Sequence, residues 1–238
     1  ALVSREEPDP PRKRYKLPAA YQQVIIKRVV RQLKTYRGAM IVASTGMGKT
    51  VMATDVCFRL HRERLIDTVL VFAPKPTHLN WSNDLDDAGI NHKTFSQQVL
   101  SQNSTGPEGT RLTRYLDRLD ERFVIIIDES HYFRNENTSG GEQKLSFSRL
   151  IDHVNSSGCY VLLLTATPYA KGYEDINHQL KLLPHLAPRQ TRLSSGQHVL
   201  PGMGMIRHPN AWAIPEEDFF EAFRRLEVVS LISTSWVA

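Results

Sequence analysis

Residues 43–50 read Ala-Ser-Thr-Gly-Met-Gly-Lys-Thr, and this short run restricts the fold more than any other part of the chain. An apolar run, Ala39 to Ala43, leads into it, and a helical pattern extends from it to about Arg62. Glycines at 46 and 48 let the backbone curl so that successive N–H groups face an anion. The helix beginning near Lys49 adds the positive end of its dipole. This is the phosphate-loop pattern, with alanine in place of the first glycine. The spacing predicts a loop of Thr45, Gly46, Met47 and Gly48 around the phosphates of a nucleotide. Lys49 then reaches the β- and γ-phosphates, and the hydroxyl of Thr50 binds Mg²⁺, which prefers hard oxygen ligands. The plain alternative is a glycine-containing strand-to-helix turn with no ligand.

A second pattern narrows the choice. Phe123 to Ile127 is apolar throughout and delivers Asp128 and Glu129 at its carboxyl end. In open α/β sheets ligands bind at that edge. Asp128 is placed to hold the Mg²⁺ through water, and Glu129 to orient and deprotonate an attacking water. Taken alone, two acids capping a turn explain the pair equally well. A phosphate loop upstream makes the catalytic reading the stronger one.

The remaining chain supports a layered fold. Thr68 to Ala73 and Tyr160 to Leu164 are further strand patterns, continuous in apolar residues as strands covered on both faces are. Pro18 opens a helix in which Val24, Ile25, Val29 and Leu33 form an apolar stripe, with Lys27, Arg28, Arg31 and Lys34 on the other face. Residues 98–111 are polar with glycine and proline and read as a loop; 112–119 read as a helix. Ile176, Leu180 and Leu183 mark a helix ending before Pro184, and Pro215 opens another with Phe219, Phe220 and Phe223 on its buried face. Strands alternating with helices predict an α/β fold: a parallel sheet flanked by helices on both faces. The expected divisions are a flexible basic arm at 1–16, containing Arg12-Lys13-Arg14, a nucleotide-binding domain at 17–187, and an extension at 188–238.

The chain has 238 residues and a net charge of +5, compatible with a phosphate-rich partner without demanding one. Two cysteines, Cys57 and Cys159, give neither a disulfide framework nor a zinc cluster and read as buried, reduced thiols. No apolar run is long enough to span a bilayer and no leader pattern opens the sequence, so an intracellular location with no membrane partner is expected.

Asp128-Glu129-Ser130-His131 looks like the DExH box of superfamily-two helicases, and Leu164-Thr165-Ala166-Thr167-Pro168 resembles their third motif. Tyr21-Gln22 resembles the upstream glutamine that reads adenine. The finer resemblance is to the Swi/Snf-type branch of duplex-DNA translocases. It rests on Val71-Phe-Ala-Pro74-Lys75 with Leu79-Asn80-Trp81, and on His131-Tyr-Phe-Arg134-Asn135.

The resemblance implies the first RecA-like lobe of an ATP-dependent, Mg²⁺-using motor on nucleic acid, with double-stranded DNA as the expected partner. It implies that Gln22 contacts adenine, that His131, Thr165, Ala166 and Thr167 couple the nucleotide to movement, and that Lys75, Asn80 and Trp81 line the nucleic-acid path. Trp81 reads alternatively as a packing anchor, and Arg134 and Asn135 as loop structure. Ser130 stands where alanine is commoner. No motif of a second lobe follows Pro168, and that lobe supplies arginines to the family's ATP site. Poor hydrolysis by the chain alone is therefore expected. A strand-separating helicase, or an interaction platform using ATP as a switch, are the alternative functions.

Overall fold

The computed structural model describes residues 16–100, 106–133, 150–168, 179–180, 182–184 and three short strands at 198–200, 204–206 and 229–232. In chain order the elements are α1 (Ala20–Tyr36), β1 (Gly38–Ala43), α2 (Lys49–Arg62), β2 (Thr68–Ala73), α3 (His78–Asp87), β3 (Asn91–Ser96) and α4 (Pro107–Leu116). They continue with β4 (Phe123–Ile127), α5 (150–157), β5 (Tyr160–Thr165), β6 (His198–Leu200), β7 (Gly204–Ile206) and β8 (Val229–Ile232). Short 3₁₀ turns at Lys75–Thr77, Gln97–Leu100 and Ser130–Phe133 follow β2, β3 and β4.

Six strands form one sheet in the order β3-β2-β4-β5-β1-β8, and every neighbouring pair is parallel. β6 and β7 pair separately and antiparallel. Alternate residues of each strand bury on opposite faces. Met40, Val42, Leu70, Phe72, Ile125 and Ile127 meet Leu112 and Leu116 of α4 and Leu150 and Val154 of α5. Ala39, Ile41, Val69, Val71, Val124 and Ile126 meet Ile26 and Leu33 of α1, Met52 and Val56 of α2, and Trp81 and Leu85 of α3. Helices thus cover both faces, which is why β1, β2 and β5 are buried at every position.

The topology puts the site on one edge. β5 lies between β1 and β4, with Val42 opposite Thr165 and Ile127 opposite Leu163. The carboxyl ends of three adjacent strands therefore carry the 43–50 loop, the 165–168 turn and Asp128-Glu129.

The structure departs from the sequence reading in several places. α4 begins at Pro107, inside the stretch read as loop, because Pro107 sits in the first turn and Glu108 meets the positive helix end there. α3, β3 and α5 had no strong periodic pattern to announce them. β3 is an edge strand in which Asn91 and Lys93 are exposed and only Phe95 and Ser96 are buried. An apolar run cannot mark such a strand, and the exposed lysine discourages edge-to-edge pairing. The 1–15 part of the basic arm, Ile176, and the helix expected from Pro215 lie outside the described residues. Among the described residues no helix is long and apolar enough to cross a membrane.

Candidate nucleotide site

The loop after β1 has the backbone that its glycines require. Gly46 and Gly48 lie at φ +85° and +77°, the left-handed region that side chains disfavour. A turn bond from Met47 N–H to the Ser44 carbonyl, 3.2 Å, closes the curl, and α2 starts at once with Lys49 and Thr50 in its first turn. A Cβ added at Gly46 would meet nothing within 4 Å, so this backbone faces open space. A Cβ at Gly48 would collide with the side-chain amide nitrogen of Gln22.

Lys49 is folded inward. Its ammonium donates to the Ala43 carbonyl at 3.1 Å and lies 3.9 Å from Glu129 Oε1, with a side chain only 10% exposed. Glu129 Oε2 in turn lies 3.2 Å from Nδ1 of His131, and that nitrogen is 3.4 Å from Oγ1 of Thr165. A chain of polar contacts thus crosses the tips of β1, β4 and β5. Glu129 is held at φ +48°, uncommon for a residue with a side chain and typical of constrained functional positions. Thr165 Oγ1 accepts from the N–H of Thr167 at 3.1 Å, which shapes the turn containing Ala166. The His131 ring stacks on exposed Tyr132, with centroids 5.0 Å apart.

Asp128 sits deeper. Its backbone N–H bonds to the Phe72 carbonyl at 2.9 Å, continuing the β2–β4 ladder by one step. Its Oδ1 accepts from the N–H of Glu129 and its Oδ2 from the indole N–H of Trp81, both at 3.0 Å. Burial raises the Asp128 carboxyl above the ordinary range; the Trp81 hydrogen bond opposes this, and the neighbouring Glu129 charge adds to it.

Gln22 is 7% exposed and lies against the loop. Its Nε2 donates to the Met47 carbonyl at 2.9 Å, and its Oε1 accepts from the Ala19 N–H at 2.8 Å. Lys75 and Asn80 are exposed beside the same edge, and Thr45 is exposed on the loop. Trp81 is different. It is fully buried, so its ring offers no face to a nucleic acid, and the anchoring alternative is the one its burial favours. Arg134 and Asn135 lie outside the described residues.

Sequence reasoning missed two glutamines. Gln179, fully buried, accepts from the Ser130 hydroxyl at 2.8 Å and donates to the Pro168 carbonyl, tying the acidic turn to the 165–168 turn. Gln97 donates to the Asp128 carbonyl. Nothing in the local sequence separates either from a surface glutamine.

A glycine loop with open backbone, a nearby ammonium, a helix start and hard oxygen donors at Thr50, Asp128 and Glu129 suit a polyphosphate with a divalent cation. Fold and site together define the RecA-like nucleotide lobe of a superfamily-two helicase. The chain belongs to the family described as the res subunit of type III restriction enzymes, which matches residues 16–170. It is 26% identical over 188 residues to a putative ATP-dependent RNA helicase of Acanthamoeba polyphaga mimivirus, covering 69% of this chain and 33% of that protein. A bifunctional helicase and thymine dioxygenase of Leishmania tarentolae is 27% identical over 143 residues, 48% of this chain and 13% of that one. The Sulfolobus solfataricus SWI2/SNF2 ATPase core shares the fold with a TM-score of 0.53 at 17% identity, over 72% of this chain and 37% of that one. The chain spans about a third of the length of the mimivirus helicase.

Proposed function

We propose that this chain binds Mg²⁺-ATP and forms the first lobe of a motor that couples ATP hydrolysis to movement on duplex DNA. The observation that carries the reading is the Lys49 ammonium, 3.9 Å from the Glu129 carboxylate across the mouth of an open glycine loop. In this reading Lys49 leaves the Ala43 carbonyl and Glu129 for the phosphates. Thr50 and Asp128 hold the cation, which supplies charge neutralisation on the phosphate oxygens. Glu129, freed from Lys49 but still beside His131, orients the attacking water. Arginines from a second lobe complete the site, a contribution of ~10³ or more in rate. The lobe by itself therefore binds nucleotide and turns it over slowly.

Duplex DNA is favoured because the structural neighbour was solved as an ATPase core in complex with dsDNA, and because Lys75 and Asn80 lie exposed beside the nucleotide edge. The description of the mimivirus relative as an RNA helicase supports a second reading, a strand-separating helicase lobe.

The test is a Mg²⁺-ATP titration of wild type beside Lys49→Ala and Glu129→Gln. Binding by wild type and Glu129→Gln, with loss in Lys49→Ala, is expected. No binding by wild type, or unchanged binding by Lys49→Ala, would remove the phosphate-loop reading. Anisotropy titrations with duplex DNA and single-stranded RNA then separate the two nucleic-acid readings.

A further inference from the structure

Trp81 sits on α3, 47 residues before Asp128 in the sequence, yet its indole N–H reaches Oδ2 of that carboxylate at 3.0 Å in a fully buried contact. The bond is charge-assisted and shielded from water, so it is among the stronger single hydrogen bonds available to a carboxylate. The second oxygen, Oδ1, is held by the N–H of Glu129, and Gln97 donates to the Asp128 carbonyl. Asp128 is therefore held at four atoms: its Oδ2 by Trp81 of α3, its Oδ1 by the N–H of the adjoining Glu129, its carbonyl by Gln97 and its N–H by the Phe72 carbonyl of β2. A buried tryptophan needs a partner for its N–H, but packing alone does not require that partner to be the acid at the strand tip.

We propose that Trp81 is a positioning residue for the metal site: its indole N–H fixes the rotamer of Asp128 so that the remaining oxygen lone pairs face the phosphate loop. The inference rests on the nucleotide-site reading above. Only the indole nitrogen does this work. The ring itself fills space in the core, together with Leu85 and Ile66. The bond also ties α3, which follows the 3₁₀ turn Lys75–Thr77 and carries Asn80 on its surface, to the carboxylate that holds the cation.

The experiment uses Mn²⁺ as the probe, with its affinity for the chain saturated with a non-hydrolysable ATP analogue read by electron paramagnetic resonance. Nucleotide affinity is measured in parallel in EDTA. Trp81→Phe keeps an aromatic ring and removes the donor. Loss of a buried hydrogen bond to a charged group predicts Mn²⁺ affinity weakened about tenfold, with metal-free nucleotide affinity within about twofold of wild type. Unchanged Mn²⁺ affinity would overturn the proposal, and so would a parallel loss of both affinities, which a merely structural role produces. Should wild type bind no nucleotide in either arm, the site reading fails and takes this inference with it. A wild-type measurement covers a variant that does not fold: the indole ¹⁵N–¹H resonance of Trp81, assigned by eliminating Trp212 and Trp236. It should shift when Mg²⁺ is added to the nucleotide-loaded chain, and stay still in Asp128→Asn. An unmoved wild-type resonance counts against the proposal.

Discussion

The side-chain amide of Gln22 joins two backbone groups that are far apart in sequence: its Nε2 donates to the Met47 carbonyl at 2.9 Å and its Oε1 accepts from the Ala19 N–H at 2.8 Å. The start of α1 is thereby fastened to the phosphate loop. A residue expected to read adenine is also a brace for the loop. The brace predicts that Gln22→Ala weakens ATP and GTP binding alike. One hydrogen bond of this kind is worth about 1 kcal/mol, or roughly fivefold in affinity. Parallel titrations of the two nucleotides check it; a loss confined to ATP would assign Gln22 to the base alone.

The two loop glycines should respond differently to substitution. Each occupies the left-handed region, which costs a residue with a Cβ about 1–2 kcal/mol. At Gly46 that is the whole penalty, since nothing lies near the added carbon. At Gly48 the new methyl also collides with Gln22. Gly46→Ala is expected to lower thermal stability modestly, and Gly48→Ala to lower it further and reduce nucleotide binding. Adding Gln22→Ala to Gly48→Ala should recover part of the loss. Additive effects in thermal melts would contradict the collision.

The contrast between loop and braces explains how far the sequence could be read. β1, β2, β4 and β5 are covered on both faces, so their apolar runs stand out, and the chemistry at their tips follows a local spacing rule. The placement of Lys49, Asp128 and Glu129 at the strand tips was legible for that reason. β3 was not, because an edge strand buries only Phe95 and Ser96. The links from Trp81 to Asp128, Gln22 to Met47 and Ser130 to Gln179 join residues 25 to 49 positions apart in sequence, and the last is passed on to Pro168 by a side chain outside any motif. Such pairings depend on how helices dock, which periodicity does not encode. Trp81 shows the limit: beside Asn80 the sequence left it open between a nucleic-acid contact and a packing anchor, and helix α3 turns it into the core.

Ser130 offers a test of that kind of link. Its hydroxyl donates to Gln179 Oε1 in a fully buried setting, and Gln179 donates onward to Pro168. Ser130→Ala should therefore cost about 1 kcal/mol, the worth of one buried hydrogen bond. In a double-mutant cycle by urea denaturation, Ser130→Ala should cost less in a Gln179→Leu background than in wild type. Strict additivity would show that the two side chains do not act together.

The thiols give a pH prediction. Burial pushes Cys57 up to about 12 and Cys159 up to about 11, the latter opposed by the Ser157 hydroxyl. An unfolded cysteine ionises near ~8.5, so folding holds both thiols neutral where the open chain would lose its protons. Their contribution to stability is complete below that value and declines as pH rises toward the folded-state values. Native protein at pH 8 should resist a thiol-specific disulfide reagent, reacting at the rate at which the sheet opens. Stability measured by urea denaturation should fall between about pH 9 and 11, and fall less steeply in a Cys57→Ala/Cys159→Ala variant. Rapid labelling of either thiol in the folded chain would contradict its burial in the two cores, Cys57 on the buried face of α2 and Cys159 just before β5.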